Sequence, residues 1–407
     1  MSSTTKTVTK AAGIMMAAIF LSRILGLVRE MVIANQFGGG ADVSSYVMAF
    51  NLPDLLYFLL SGGVLSAAFI PVFTSYLEEG KEDEAWKVFS VIGTFLFIVI
   101  GSLVLIFEVF TRQLMPLVAP GFMDNPVLLR QTITMTRILL PCQLFFFLGG
   151  LIIATLNSRQ HFLVPALGPI IYNVGIIAGG VFLGRHIGIS GLTWGALGGA
   201  FVGNFLLQIM VVKRFGVKFK PSLNLRHPGV RRVGKLALPV ILGLSLPYVD
   251  VYVNRWFSTF INEGSAAALN FANRLMQMPL GVFGQAAAIA FFPTLAAQAA
   301  RKELGQLRAS VNFGLRGILL LTVPSSVLMI VLASPIVTML FQHGKFSAEN
   351  GAAASSALVF YSIGIAGWAG QAIVTRGFYA MQDTVIPVVT GTVCVRAPTP
   401  PPNDRHC

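Results

Sequence analysis

AFIP at residues 68–71 and AFFP at residues 290–293 are two copies of one motif, each set inside a long apolar stretch. From residue 68 to residue 290 the shift is 222, and other identities keep it. Asn51 matches Asn273, Gly62 matches Gly284, Gln160 matches Gln382 and Pro165 matches Pro387. A gapless shift held from Asn51 to Pro165 marks an internal duplication, and the repeat decides how the rest of the chain is read.

A helix needs about 20 mostly apolar residues to cross a bilayer. That ruler predicts spans near 9–35, 43–77, 86–111, 132–156, 162–184, 189–212, 233–260, 265–299, 309–342 and 352–380, with a partial one from 384 to about 395. The shift covers an even number of spans, so both copies enter the membrane in the same direction. The expected fold is an all-α polytopic transmembrane helical bundle of two six-helix lobes in a parallel pseudo-repeat. Transporters build such lobes around a central site and rock them for alternating access. The lobes are expected at 1–213 and 233–393, joined by a basic linker at 214–232. The second lobe stops within its fifth helix, and CVRAPTPPPNDRHC (394–407) is proline-rich, polar and unlike the first copy. The second lobe is therefore expected to be truncated and the tail disordered. The start, MSSTTKTVTKAAG, lacks a small-residue cleavage site, so the first span is expected to be retained.

Composition agrees. Of 407 residues, 55% are hydrophobic and 11% charged, where a soluble domain carries about 25% charged residues. The net charge of +13 does not call for nucleic acid, because the basic residues sit mainly in short loops between apolar runs. Sixteen lie on the amino-terminal side, among them Lys81, Arg159, Lys218, Arg231 and Arg301, against Arg112, Arg130, Arg185 and Lys345 on the other. The positive-inside rule puts the amino terminus in the cytoplasm. The linker, KRFGVKFKPSLNLRHPGVRRVGK (213–235), also suits a surface of anionic lipid. Cys142, Cys394 and Cys407 have no paired spacing, and no metal site is expected. The five histidines are scattered and no nucleophile or phosphate-loop motif occurs, so no enzyme site is expected.

Ionisable groups inside spans are costly and are functional candidates. Arg23 and Arg29 fall in SRILGLVRE (22–30), Arg274 in NFANRLMQMPLG (270–281), and Asp250 and Arg255 in YVDVYVNRWF (248–257). Arg23, Arg29 and Arg274 are expected to meet around one cavity. Guanidinium forks match phosphate oxygens and hold their charge at any relevant pH. The expected ligand is a phosphate or pyrophosphate with a large apolar or sugar portion. Pairing of Arg29 with Glu30 or Asp54 is the competing reading. Asp250 and Asn254, at i and i+4, offer oxygens to a coupling Na⁺ or H⁺, or Asp250 pairs with Arg255 or another helix. Arg137, Arg316 and Arg376 read as interfacial anchors. Small residues at Ser61-Gly62-Gly63 and at Gly195, Ala196, Gly198 and Gly199 are expected to let helices approach closely.

These segments, with AFNLPDLLYFLLSGGVLSAAFIPVF (49–73), APGF (119–122), ANRLMQMPLGVFG (272–284), LFQHGKFS (340–347) and GFYAMQDTVIPV (377–388), resemble the MurJ (MviN) lipid II flippases of the MOP transporter superfamily. The resemblance covers roughly 1–393. It implies fourteen helices, a cationic central cavity, and export of an undecaprenyl-pyrophosphate-linked peptidoglycan precursor across a bacterial inner membrane. It implies that Arg23, Arg29 and Arg274 are cavity arginines and that Asp250 belongs to a cation site. Membrane lipids are expected partners, with cell-wall synthases as further candidates. The chain departs from the family at Tyr57-Phe58, where many members carry arginine, and at Ser44, where many carry an acid. A polysaccharide-lipid flippase of the same superfamily and a non-transporting scaffold of cell-wall synthesis stay open as other readings.

Overall fold

The computed structural model describes residues 3–60, 64–245, 247–381, 383, 386 and 390. The pair Gly62 and Gly63, the tail 394–407 and nearly all of the expected span 384–395 lie outside the described residues. So do some side chains within helices, those of 238–245 and 247–250 among them. The described residues are overwhelmingly helical. The helices are α1 (Ser3–Phe37), α2 (Ala41–Ala49), α3 (Asn51–Leu60), α4 (Val64–Glu78), α5 (Glu82–Val118), α6 (Pro126–Leu139), α7 (Cys142–Ser158), α8 (Leu163–Ala178), α9 (Gly184–Ile187), α10 (Ser190–Gly199), α11 (Leu207–Val212), α12 (Pro228–Ser245), α13 (Pro247–Ile261), α14 (Ser265–Pro279), α15 (Ala286–Ala300), α16 (Leu304–Val331), α17 (Ala333–Phe341) and α18 (Ala348–Ala380).

Among the described residues, five helical stretches are each long and apolar enough to cross a membrane: Glu82–Val118, Pro126–Ser158, Leu163–Ile187, Ser190–Phe215 and Leu304–Val331. The two arms of α18, Ala348–Ile363 and Ile365–Ala380, bend by 41° and make a sixth if counted together. Other expected spans are broken. The stretch expected at 43–77 is divided at Phe50. α5 presents Phe97, Leu105, Val109 and Phe110 outward, each about half exposed or more. Water would not tolerate such a continuous face, and a bilayer would.

The chain forms two compact units. The first contains 1–244, 254–271 and 337–354; the second contains 245–253, 272–336 and 355–407. The core of the first unit is aromatic. Phe69, Phe73, Trp86 and Phe89 are buried with Leu151, Ile152 and Val212, and Phe73 meets Trp86 edge to face at 5.5 Å. Helix starts follow local chemistry. Asn125 accepts from the backbone N–H of Val127 and Leu128, ahead of Pro126, which answers donors that a helix start leaves open. Glu82, Asp83 and Glu84 fill the first turn of α5, where the helix dipole favours negative charge.

Glycine sets the closeness of α8 and α10. A Cβ on Gly175 would lie 2.7 Å from the Gly195 carbonyl and from Gly199 Cα, and one on Gly195 would lie 2.2 Å from the Gly175 carbonyl. The expectation therefore holds at Gly195 and Gly199. Gly198 faces open space. Two π-turns, Gly179–Leu183 and Ala200–Leu206, interrupt this pair. Beside the second, the buried Gln208 side chain donates to the carbonyls of Gly203 and Val164, both at 3.0 Å. The wider turn loosens main-chain carbonyls, and a side chain satisfies one of them.

In the second unit, a Cβ on Gly314 of α16 would come within 2.6 Å of Ile373 in α18. Gln298 donates to Ser310 at 2.9 Å, and Phe291 lies 6.1 Å from Phe313. A third π-turn, Leu280–Gln285, joins α14 to α15.

Candidate functional site

Arg29 sits in α1, nearly one turn beyond Gly26, and its guanidinium is held on two sides. Nη2 donates to Glu30 Oε1 at 2.5 Å and Nη1 donates to Asn173 Oδ1 at 3.1 Å. Glu30 is 2% exposed, and its other oxygen accepts from Asn270 Nδ2 at 3.1 Å. Asn173 in turn donates to the Pro169 carbonyl at 2.9 Å. Of the two carboxylates considered for Arg29, Glu30 is the one that pairs. Such a pair is costly to desolvate, and it survives because the remaining oxygens and N–H groups find partners. Arg29 Nε is the exception: it is buried and makes no hydrogen bond.

Asp54 has a different arginine. Arg255 of α13 donates from Nη1 to Asn51 Oδ1 at 2.7 Å and to Asp54 Oδ2 at 3.2 Å. Arg255 was considered as a partner for Asp250, whose side chain lies outside the described residues; its guanidinium is bound to α3. The arginine thus stands within one helical turn of Tyr57, the position where the chain departs from its family. Sequence reading noted Arg255 as an intramembrane charge but had no signal for this partner, because the contact joins residues 201 positions apart.

Arg23 is exposed on α1, and Arg274 is exposed on α14 in the second unit. Asn254 is exposed on α13. The side chain of Asp250 lies outside the described residues. Among the described residues no cluster of three or more metal-binding side chains occurs. Arg376, expected as an interfacial anchor, has its guanidinium 5.5 Å from the centre of the Phe292 ring and lines a cavity of the second unit.

The end of the first unit that carries residues 35–44 is clasped. There the backbone N–H of Lys345 donates to the Asn35 carbonyl at 2.9 Å. Gly38 and Gly344 both take positive φ, +82° and +61°. A Cβ on Gly344 would lie 2.3 Å from the Asn35 carbonyl, so the loop can fold this tightly only with glycine. Ser44 Oγ accepts from the Ala267 N–H at 3.0 Å, and Asn125 donates to Glu263 at 2.9 Å. Gly121 lies so close to Thr259 that a Cβ would stand 1.9 Å from its carbonyl. Phe346 and Phe341 close over Phe271. Apart from the Phe271, Phe341 and Phe346 cluster, which lies within the second repeat, these contacts join a segment of the first sequence repeat to one of the second, all inside the first unit.

The other end carries the basic linker. Arg159 pairs with Glu82 and lies over the Trp86 ring. Lys218 reaches Asp83 at 2.6 Å and His227 reaches Glu84 at 2.8 Å. The Asp83 carboxylate, by hydrogen bond and charge, holds the Lys218 ammonium above the ordinary lysine range. Further along, the linker backbone follows α5: Ser90 bonds Lys218 and Lys220, and Thr94 bonds Ser222. Phe219 stacks edge-on against Phe89, over the space left by Gly93.

Residues 33–396 match the family model described as lipid II flippase MurJ. A lipid II flippase MurJ of Burkholderia cenocepacia is 30% identical over 374 residues, covering 90% of this chain and 72% of the relative. A probable lipid II flippase MurJ of Buchnera aphidicola is also 30% identical over 370 residues, with the same coverage. Among solved structures, a lipid II flippase MurJ in an inward closed conformation superposes with a TM-score of 0.80 at 25% identity, covering 93% of this chain and 78% of that one. An inward-facing multidrug resistance MATE transporter of the MOP superfamily superposes with a TM-score of 0.64 at 12% identity, over 92% of this chain and 95% of that one. That likeness concerns the fold alone.

Proposed function

The chain belongs to the lipid II flippase MurJ family, and we propose on that footing that it carries lipid II, an undecaprenyl-pyrophosphate-linked peptidoglycan precursor, from the cytoplasmic to the periplasmic leaflet of a bacterial inner membrane. The amino terminus is cytoplasmic in this reading, which rests on the excess of Lys and Arg in one set of loops. Arg23, Arg29 and Arg274 hold the pyrophosphate. The observation that carries the assignment is the state of Arg29: an oriented guanidinium at membrane depth with one buried N–H still open. A pyrophosphate oxygen satisfies that donor. When the anion draws on the guanidinium, Glu30 keeps Asn270 as a second partner, so the exchange leaves no carboxylate stranded. Arginine suits this task because its planar fork engages phosphate oxygens bidentately.

In this reading the clasp at residues 35–44 is the closed outer end. Transport requires it to open, and the ligand drives opening only by binding the open form more tightly than the closed one. Asp250 and Asn254 supply a coupling Na⁺ or H⁺ site, which fits the absence of a nucleotide-binding motif from the sequence. The family consists of transporters, and no chemical step is assigned to the chain. Cell-wall synthases are the partners that would use the exported precursor.

The test is rescue of a host depleted of its own flippase, with lipid II accessible at the outer face as the readout. Wild type should rescue; Arg23→Ala and Arg274→Ala should abolish both growth and outward lipid II. Equal rescue by the arginine variants would leave a scaffolding role as the better account. Unchanged outward lipid II on loss of the protein would point to a different lipid-linked sugar.

A further inference from the structure

The second unit contains a cavity of about 510 Å³ between α14 and α18, reached also by Val251 of α13. Its volume falls in the range of small-molecule sites, about 300–1,000 Å³. The lining is unusual for a helix packing defect in a membrane protein. Asn273 and Gln277 project from α14 at i and i+4, and Gln371 and Thr375 from α18 at the same spacing. Among the described residues, none of these four side chains has a hydrogen-bond partner. Trp368 and Tyr379 add two aromatic faces, each 38% exposed.

We propose that this cavity receives a sugar ring of the lipid-linked substrate, a neutral ring bearing hydroxyl and acetamido groups. The proposal rests on the flippase reading and names the part of the ligand that this unit takes. Three carboxamides and a hydroxyl present donors and acceptors together, which matches vicinal hydroxyls and an acetamido group. An acyl chain is a poor occupant, because it would bury those four polar groups unsatisfied at a cost of about 1–3 kcal/mol each. A free amine is also a poor occupant: the lining includes the Arg376 guanidinium and no carboxylate. That guanidinium is turned against the Phe292 ring, leaving the amides as the directional contacts. Aromatic side chains with one wet edge suit the apolar face of a pyranose. The π-turn Leu280–Gln285 lies at the cavity wall, with Gly284 so near α18 that a Cβ would meet Ala369 at 3.2 Å. Turns of this kind gather at functional sites.

The experiment compares two probes on the full chain in lipid nanodiscs: undecaprenyl pyrophosphate, and undecaprenyl pyrophosphate carrying the disaccharide without its peptide. Wild type should bind the sugar-bearing lipid more tightly. Gln371→Ala and Gln277→Ala should each weaken that probe by roughly tenfold, the loss of about one buried hydrogen bond, and leave the bare pyrophosphate lipid unchanged. Trp368→Leu should do the same. If it fails to fold, the two glutamine variants, which truncate partly exposed side chains, decide. Equal weakening of both probes, or of neither, overturns the proposal while the flippase reading stands. A wild type that prefers the sugar-bearing lipid with variants that keep the preference does likewise. Wild type binding neither probe overturns the flippase reading, and the sugar site with it.

Discussion

At the clasp end of the first unit, segments of both sequence repeats meet through a backbone hydrogen bond, side-chain bonds from Ser44 and Asn125, and glycine contacts with no room for a methyl group. At the linker end, one repeat and the linker meet through paired charges in water: Lys218 and Asp83 are each more than half exposed. Steric fit barely responds to salt, whereas exposed ion pairs weaken as salt rises. The two ends therefore answer differently. The clasp yields to something that rearranges its close-packed groups; the linker strap loses its ion-pair share to ionic strength and keeps its hydrogen bonds to Ser90 and Thr94.

Four changes would break or sharpen this contrast. Glu30→Ala removes the bond from Asn270, a further link between the two repeats, and strands Arg29, so it should cost about 3–5 kcal/mol of stability, measured by chemical denaturation in detergent micelles. A loss under about 1 kcal/mol would mean that the pair is solvated. Next, Gly121→Ala forces α13 away from the 119–125 turn and should cost about 1–3 kcal/mol. Hydrogen exchange should quicken at 119–125 and 256–268 and stay unchanged at 213–227. Faster exchange at both ends would show that they move as one. Third, a double-mutant cycle on Asn125 and Glu263 should give a coupling of about 0.5–1.5 kcal/mol. The smallest effect belongs to Lys218→Ala, which should leave thermal stability unaltered but expose the linker to protease, as high salt should in wild type. Because the Lys218 pKa is raised and that of Asp83 is lowered by the same pairing, the strap's contribution is present between the ordinary carboxylate and lysine values. It is lost as pH climbs through the elevated lysine value and as it falls through the depressed carboxylate one. Linker cleavage that ignores both salt and alkali would refute the ion-pair account.

The apolar stretches that form Glu82–Val118, Leu163–Ile187, Ser190–Phe215 and Leu304–Val331 were legible because bilayer thickness imposes a length, and hydropathy reads length directly; the break at Phe50 inside 43–77 was not. The glycine approach of α8 and α10 was legible at Gly195 and Gly199 but not at Gly198. Composition marks small residues without saying which side of a helix they occupy. Arg29 beside Glu30 could be read from adjacency. Arg255 with Asp54 could not, since nothing local couples residues so far apart in sequence. Position along a span says how deep Arg376 lies, but not that the Phe292 ring and a cavity shared with α14 stand at its side.

The π-turn at Ala200–Leu206 has a consequence for how this chain tolerates change in length. Each such turn holds one residue more than an α-turn would, so a single deletion there is absorbed as ordinary α-helix with the downstream faces kept in place. Gln208, now 0% exposed and bonded to two carbonyls, would then meet a Gly203 carbonyl already taken by the regular helix ladder. Homologues one residue shorter at this place should therefore have no need of glutamine here.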